Sequence, residues 1–472
     1  MNLGKKTKIV CTIGPATESV EKLTQLVQAG MNVMRLNFSH GDFAEHQNRV
    51  DNLKTVMKQT GKTVAMLQDL GGPKIRIGTF KDDKGIVLKE GQIFTLTTDA
   101  FEGTAEKVHI NYPLLPKEVK VGGAIMIQDG RKRLEVLEVK GNDIICKVIV
   151  GGELKGKKGV NVPGANLSIS SLTEKDRTDL EFGIKNKVDF VALSFVRRAS
   201  DIIELRDILK KAGSHAQIIA KIETPEALDV LDDVITASDG LMVARGDLAI
   251  EIPAEEVPLA QKLMISKCNA VGKPVITATQ MLESMIKSPI PTRAEVSDIA
   301  NAIIDGTDAI MLSEETTLGD YPVEAVKMMT KIACRVEKEV YTCDTIAEYD
   351  QSHGITDVIS QSAVRAAHNV GARLIVALTR SGSSARMIAR YRPAERILAL
   401  SDKAENANKL MLSFGCYPMV VPTFKNIEQI LDIVRTSAIE NEFAKKGEKV
   451  VIVGGMPFGE AKEVNTIIVE TI

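Results

Sequence analysis

Eight short apolar runs, each closed by polar residues and separated by longer periodic stretches, constrain this chain more than any other feature. They lie near Lys8–Ile13, Asn32–Asn37, Thr63–Asp69, Asp189–Phe195, Gln217–Glu223, Gly240–Ala244, Pro274–Thr279 and Asp308–Ser313. Short, continuously apolar runs read as strands buried on both faces, and their alternation with helical segments is the pattern of a parallel sheet covered by helices. Eight βα units are the number that closes a barrel. Helix starts fall between the strands. Thr224-Pro225-Glu226 offers an N-cap with proline at the first helical position, and Ser200-Asp201 opens a segment of apolar helical spacing.

Two further regions depart from this rhythm. From Gly72 to Leu167 the chain is rich in Gly and Lys and carries alternating runs such as Ile93–Thr97 and Arg133–Val139, the signature of an all-β insertion. Placed after the third barrel strand, it overhangs the catalytic face as a lid, with hinges near Gly71-Gly72-Pro73 and Pro163-Gly164. After Tyr349 come a helix over Thr356–Val370, strands at Arg373–Leu378, Arg396–Leu400 and Tyr417–Val421 with helices between, a long helix and two terminal strands. The expected domains are a barrel from 1–71 and 168–348, a β-barrel lid over 72–167, and a C-terminal α/β regulatory domain over 349–472.

Bulk properties exclude several classes. The formal charge is −2 over 472 residues, so nothing points to a nucleic-acid or anionic-membrane partner, and 44% hydrophobic content supplies ample core. No apolar stretch reaches the roughly 20 residues of a membrane span. Six cysteines (Cys11, Cys146, Cys268, Cys334, Cys343, Cys416) form no C-x-x-C pair, which together with the absence of an apolar leader core leads to an expectation of a soluble protein in a reducing cytoplasm.

Chemistry concentrates where the strands end. Lys221 and Glu223 lie two apart on one strand and therefore share a side; Arg245 and Asp247 follow the next strand with the same spacing. Two carboxylates and two cations would converge, a set suited to a divalent metal and a phosphorylated, carboxylated substrate. Arg35, Asn37, Asp69, Ser194, Thr279, Ser313 and Glu315 end other strands on what would be the same catalytic face.

Six segments carry a resemblance: Met34-Arg35-Leu36-Asn37-Phe38-Ser39-His40-Gly41, Gly72-Pro73-Lys74-Ile75-Arg76, Lys158-Gly159-Val160-Asn161, Lys221-Ile222-Glu223, Ala244-Arg245-Gly246-Asp247 and Thr277-Ala278-Thr279-Gln280-Met281-Leu282-Glu283. In order and across essentially the whole chain, they resemble the pyruvate kinase family. The resemblance implies phosphoryl transfer from phosphoenolpyruvate to ADP, giving pyruvate and ATP. It implies Mg²⁺, with Mn²⁺ able to substitute, held by Glu223 and Asp247. Arg35, Lys221, Ala244, Arg245, Gly246, Asp247 and Thr279 match the substrate site, the backbone N–H groups of 245–247 taking the carboxylate. Asn37, Ser39, His40, Arg76 and Lys158 match nucleotide contacts; Lys221, Arg35, Arg76 and Thr279 match catalytic positions, with a proton relay near Thr279 that touches Glu315.

Where the family carries Thr-Lys-Gly-Pro-Glu-Ile-Arg, this chain has Leu70-Gly71-Gly72-Pro73-Lys74-Ile75-Arg76. The monovalent-cation site of the glutamate-bearing form maps onto Asn37, Ser39, Asp69 and Leu70. Leucine offers no oxygen and Lys74 brings its own ammonium, so the expectation is that K⁺ is not required. Glu314 stands where the family has a small residue. Thr379-Arg380-Ser381-Gly382-Ser383-Ser384 resembles an effector-phosphate loop, while the last loop, Gly454–Ala461, has no basic residue before Lys462. That combination favours a sugar monophosphate or nucleotide effector over a bisphosphate. The resemblance further implies a homotetramer. Rival readings are a Mg²⁺-dependent lyase of the same substrates and a non-catalytic binding protein.

Overall fold

The computed structural model describes residues 4–81, 84–341, 354–423, 426–457 and 463–472. Strands Lys8–Thr12, Val33–Asn37, Ala65–Asp69, Phe190–Leu193, Gln217–Ile222, Gly240–Ala244, Val275–Ala278 and Ala309–Leu312 close into one barrel, each beside its neighbours in sequence. Every pairing around the barrel is parallel. Each strand lies inside the run expected for it. Several are shorter at their C-terminal end, because residues such as Phe195 and Thr279 turn into positive φ there (52° and 70°).

Side-chain parity sorts the strand residues into two cores. Val10, Val33, Leu67, Phe190, Ile219, Met242, Ile276 and Met311 fill the barrel interior. Their neighbours in sequence, among them Met34, Val191, Ile218, Leu241 and Ile310, pack outward against the helices. The interior is closed from the strand N-termini by Met411 and Leu412 of the C-terminal region, which belong to the same buried cluster.

Two helix starts differ from expectation. Thr224 precedes the helix Pro225–Asp229, but its hydroxyl donates to Val196 O (3.2 Å) instead of capping. The next difference is at Ser200, which lies inside the helix Ala199–Lys211; Asp201, on its first turn, accepts from the N–H groups of Arg197 (2.9 Å) and Arg198 (3.3 Å), so the cap is supplied from within.

The insertion forms a six-stranded sheet in the order Val160–Asn161, Ala124–Ile127, Lys132–Lys140, Asp143–Val150, Ile93–Thr97, Lys107–His109, plus the pair Ile86–Leu88 and Gly152–Leu154. Its own core runs from Ile75 to Leu167, and one short helix, Leu115–Glu118, interrupts the β pattern. The entry turn needs glycine at position 72: φ is +65°, and a Cβ would come 2.8 Å from Ser194 Cβ.

The C-terminal region is a five-stranded sheet ordered Cys416–Val420, Arg396–Ser401, Leu374–Leu378, Lys449–Gly454, Thr466–Thr471, with only the last strand antiparallel. Buried clusters cover both faces. The connector 342–353, where this domain is expected to begin, lies outside the described residues, as do Cys343 and the 458–462 part of the last loop. Among the described residues, Cys11, Cys146, Cys268, Cys334 and Cys416 are free thiols, and no helix is long and apolar enough to cross a membrane.

Candidate active site

Parity carries Arg35, Asp69 and Lys221 above the apolar interior, since each continues the inward face of Val33, Leu67 and Ile219. There they form one buried ionic cluster. Asp69 Oδ2 accepts from Arg35 Nε (2.7 Å) and its Oδ1 from Lys221 Nζ (3.1 Å). Arg35 also donates to Thr12 Oγ1 (2.8 Å), and Lys221 to Ser194 Oγ (2.6 Å). Asp69 is 1% exposed, yet the nearby Lys221 and Arg35 outweigh the effect of burial and hold its carboxyl below the usual range. Burial acts against the Lys221 ammonium, but Asp69 and Glu223 outweigh it and raise its pKa.

Glu223 is fully buried and behaves differently. Its Oε2 accepts the N–H of Phe195 (2.7 Å). Lys221 Nζ lies 3.1 Å from Oε1 but off the line a hydrogen bond requires, so that oxygen has no hydrogen-bond partner. Burial, with Asp247 and Asp69 nearby, raises the Glu223 pKa despite Lys221. A buried carboxylate oxygen without a donor, beside a second carboxylate, is a mismatch that a divalent cation would resolve.

Arg245 does not join this cluster. The residues after Ala244 are not strand but the first turn of a helix, Arg245–Glu251, in which positions two apart diverge. Asp247 lines the cavity, whereas Arg245 reaches the other way, to Ala278 O (3.1 Å), Thr279 O (2.7 Å) and Asp298 Oδ1 (2.6 Å). The expected convergence of two cations and two carboxylates is therefore Lys221 with Arg35, not with Arg245. The N–H of Gly246 donates to Thr279 Oγ1 (2.9 Å), and that hydroxyl donates to Ala278 O (2.7 Å). Thr279 is β-branched at φ +70°, a conformation costing of order 1–3 kcal/mol that its surroundings must hold.

The cavity above these groups measures about 500 Å³. Arg35, Asn37, Ser39, His40, Lys74, Lys221, Glu223, Ala244, Asp247 and Thr279 all line it. Asn37 Oδ1 accepts the Ser39 N–H (3.1 Å), shaping the turn that presents Ser39 and His40. Burial, followed by Lys74, Arg76 and Arg35, lowers the His40 pKa. Glu314, exposed, also lines the cavity. Glu315 is instead committed to structure, its oxygens accepting the N–H groups of Leu282 (3.1 Å) and Ser313 (2.7 Å), which removes it from the proton relay expected near Thr279.

Arg76 and Lys158 line an adjoining 240 Å³ cavity between lid and barrel that shares Lys74, Phe195 and Asp247 with the first. The lid rests on the barrel there through Asn161 Nδ2, which donates to Glu251 Oε1 (2.8 Å). Leu70 is fully buried and bonds through its backbone alone, its carbonyl accepting from Ser194 Oγ (2.7 Å) and its N–H donating to Ala192 O (3.0 Å). Far from both cavities, Thr379 Oγ1 accepts the Gly382 N–H (2.9 Å), Ser381 and Ser383 are exposed, and Arg380 lies 3.9 Å from Asp402.

Thr12, Glu45 and Arg49 also line the main cavity and were not singled out from sequence. Thr12 was within reach, because it continues the inward face of Val10; Glu45 and Arg49 belong to a helix whose sequence gives no sign of which face meets the cavity.

A closed parallel barrel whose strand ends gather buried carboxylates and cations beneath an overhanging lid defines a barrel enzyme built for an anionic substrate. The families described as pyruvate kinase barrel domain and pyruvate kinase alpha/beta domain match residues 4–326 and 357–470. The chain belongs to the pyruvate kinase family, and so is a phosphotransferase. It is 49% identical to a pyruvate kinase of Geobacillus stearothermophilus over 99% of this chain and 80% of that protein. Against a pyruvate kinase of Bacillus licheniformis the identity is 48%, over 98% of this chain and 79% of the relative. A crystal structure of a pyruvate kinase from Cryptosporidium parvum superposes with a TM-score of 0.95 at 38% identity, covering 100% of this chain and 97% of that one.

Proposed function

We propose that the chain transfers the phosphoryl group of phosphoenolpyruvate to ADP, without a requirement for K⁺ and under control of a phosphorylated metabolite. The observation that carries the reaction is the buried Arg35–Asp69–Lys221–Glu223 cluster with its unpartnered Glu223 oxygen. Glu223 and Asp247 would hold Mg²⁺ or Mn²⁺, which supplies Lewis-acid neutralisation of phosphoryl and carboxylate charge. Arg35 and Lys221, locked by Asp69, offset charge on the moving phosphoryl oxygens without reorganising. Lys221 Nζ also serves the enolate oxygen. Thr279 Oγ1, fixed between Gly246 N–H and Ala278 O, orients the water-borne proton delivered to the enolate carbon. The N–H groups of 245–247 take the substrate carboxylate, with that of Gly246 shared between it and Thr279 Oγ1. Asn37, Ser39 and His40 meet the nucleotide, and Arg76 and Lys158 meet its phosphates from the lid.

K⁺ independence is supported by the buried, apolar Leu70 side chain, by the engagement of both Asp69 oxygens, and by Lys74 in the cavity wall. The test is pyruvate formation from phosphoenolpyruvate and ADP with Mg²⁺, in K⁺ and in K⁺-free buffer, with a chelator control. Equal rates in both buffers and none with chelator are expected. Activation by K⁺ discards the cation reading alone.

The effector reading rests on the exposed Ser381 and Ser383 at the head of the 383–389 helix. Half-saturation by phosphoenolpyruvate should shift with a sugar monophosphate or nucleotide. We place domain bounds at 1–71 with 168–348, 72–167 and 349–472; the buried core of the insertion falls within its own bounds, whereas Met411, Leu412 and Phe414 of the C-terminal region pack into the barrel's clusters. A homotetramer, supported by exposed Leu259, Leu263 and Ile290, is tested by light scattering, and a cytoplasmic site agrees with the free thiols.

A further inference from the structure

Beside the main cavity lies a buried polar chain that the proposed reaction does not use. It runs through the helix Phe43–Thr60 to the turn presenting Ser39 and His40. His46 is 1% exposed and its ring stacks on Phe38 (centroids 4.2 Å apart, planes 14° apart). Its Nε2 is 3.0 Å from His40 O and its Nδ1 is 3.4 Å from an Arg49 guanidinium nitrogen. A guanidinium only donates and a carbonyl only accepts, so the ring is neutral with its proton on Nε2. Burial and the Arg49 charge lower its pKa to about 4, which keeps the ring uncharged at neutral pH. Arg49 is fixed in turn by Glu18 (3.0 Å) and Glu45 (3.4 Å).

The turn is seated on this chain. Gly41 has φ +79°, and a Cβ there would lie 2.7 Å from Glu45 Oε2 and 3.4 Å from His46 Nε2. His40, Gly41, Glu45 and Arg49 all line the cavity, so any shift of the chain moves the cavity wall.

We propose that His46 is a positioning residue for the nucleoside diphosphate: it ties the His40 carbonyl to the Glu18–Arg49 pair and so fixes the turn that Ser39 and His40 present. This rests on the reading of that turn as the nucleotide side of the site. A purely packing role would be met by the Phe38 stack alone, and the two polar bonds would then be dispensable.

His46→Phe keeps an aromatic ring on Phe38 and removes both bonds; His46→Gln restores a donor toward His40 O and an acceptor toward Arg49. Calorimetric titration of the full-length protein with ADP and, separately, with phosphoenolpyruvate, both with Mg²⁺, reads the effect without turnover. His46→Phe is expected to weaken ADP about tenfold, in line with the loss of buried hydrogen bonds, and to leave phosphoenolpyruvate within about twofold. His46→Gln should recover most of the ADP loss. If His46→Phe fails to fold, Glu18→Gln, at the solvent end of the chain, should weaken ADP about twofold to threefold while sparing phosphoenolpyruvate. ADP affinity unchanged in the variants, or both ligands weakened equally, overturns the inference. Wild-type protein that binds phosphoenolpyruvate but not ADP overturns the nucleotide reading beneath it, and the inference with it.

Discussion

The two ends of the barrel both bury charge, but they treat it differently. At the strand C-termini, Arg35, Asp69, Lys221 and Glu223 share one cluster in which Glu223 Oε1 has no hydrogen bond and Thr279 is held at positive φ. At the strand N-termini the cations end on protein acceptors. Lys6 Nζ donates to Ala394 O (2.9 Å), Lys8 Nζ to Cys416 O, and Arg392 to Asp308 (2.8 Å), Gly306 O (2.6 Å) and Asn269. Phe414 N–H completes Asp308 (2.9 Å), and Glu337 accepts the N–H groups of Lys6 (2.7 Å) and Thr7 (2.6 Å). Nearly the same chemistry serves as adhesive at one end and as a site at the other. What separates them is the C-terminal domain: it covers the lower end with carbonyls and with Met411 and Leu412, whereas the upper end opens into a 500 Å³ cavity.

The contrast is tested most severely by Lys221→Met. Loss of one preorganised cation from the upper cluster should lower kcat by about 10²–10³-fold, measured by pyruvate release. Arg392→Met is the matching change below. It strands Asp308, 4% exposed, without its cation, and should cost about 3–5 kcal/mol of stability, read as a lowered unfolding midpoint, while kcat of the folded enzyme stays within about twofold. A drop in kcat comparable to that of Lys221→Met would erase the distinction between the two ends.

Leu412→Ala opens the barrel floor and should cost about 3 kcal/mol, again with little effect on turnover at saturating substrate. The last contrast is in pH dependence. Burial, then neighbouring Lys8, lowers the Lys5 pKa from 10.5 to about 7, and burial lowers that of Lys8 to about 8. Between about pH 7 and 10.5 the unfolded chain therefore binds more protons than the native one, and stability rises with pH across that window. The penalty is complete below the folded pKa values. Lys5→Met should flatten the rise in melting temperature between pH 7 and 10; an unchanged slope would show that Lys5 titrates normally.

Much of the upper site was legible because it depends on local periodicity. Two-residue parity on a strand is enough to put Lys221 above Ile219 and beside Glu223, and the same rule places Arg35 and Asp69. The rule fails where a helix begins directly at a strand end, as it does after Ala244. Arg245 was read as continuing a strand, but the helix begins at that residue and sends it to Asp298. Glu315 and Glu314 differ by one position and by about 100° around a helical turn, which sends one to backbone amides and the other to the cavity. The chain from Glu18 through Arg49 and His46 to His40 links three segments of the N-terminal region, and no spacing rule announces it.

The sequence by itself determined the eight parallel strands, the β insertion, the C-terminal α/β sheet and the inward-facing charges, since each follows from short-range apolar period and turn chemistry. Only the tertiary structure decided which charges are satisfied. Asp69 and Asp308 are both buried aspartates facing arginine. One belongs to a cluster beneath the open cavity and the other to a domain joint, because desolvation and hydrogen-bond completion depend on what packs above a residue, and that is supplied by chain distant in sequence.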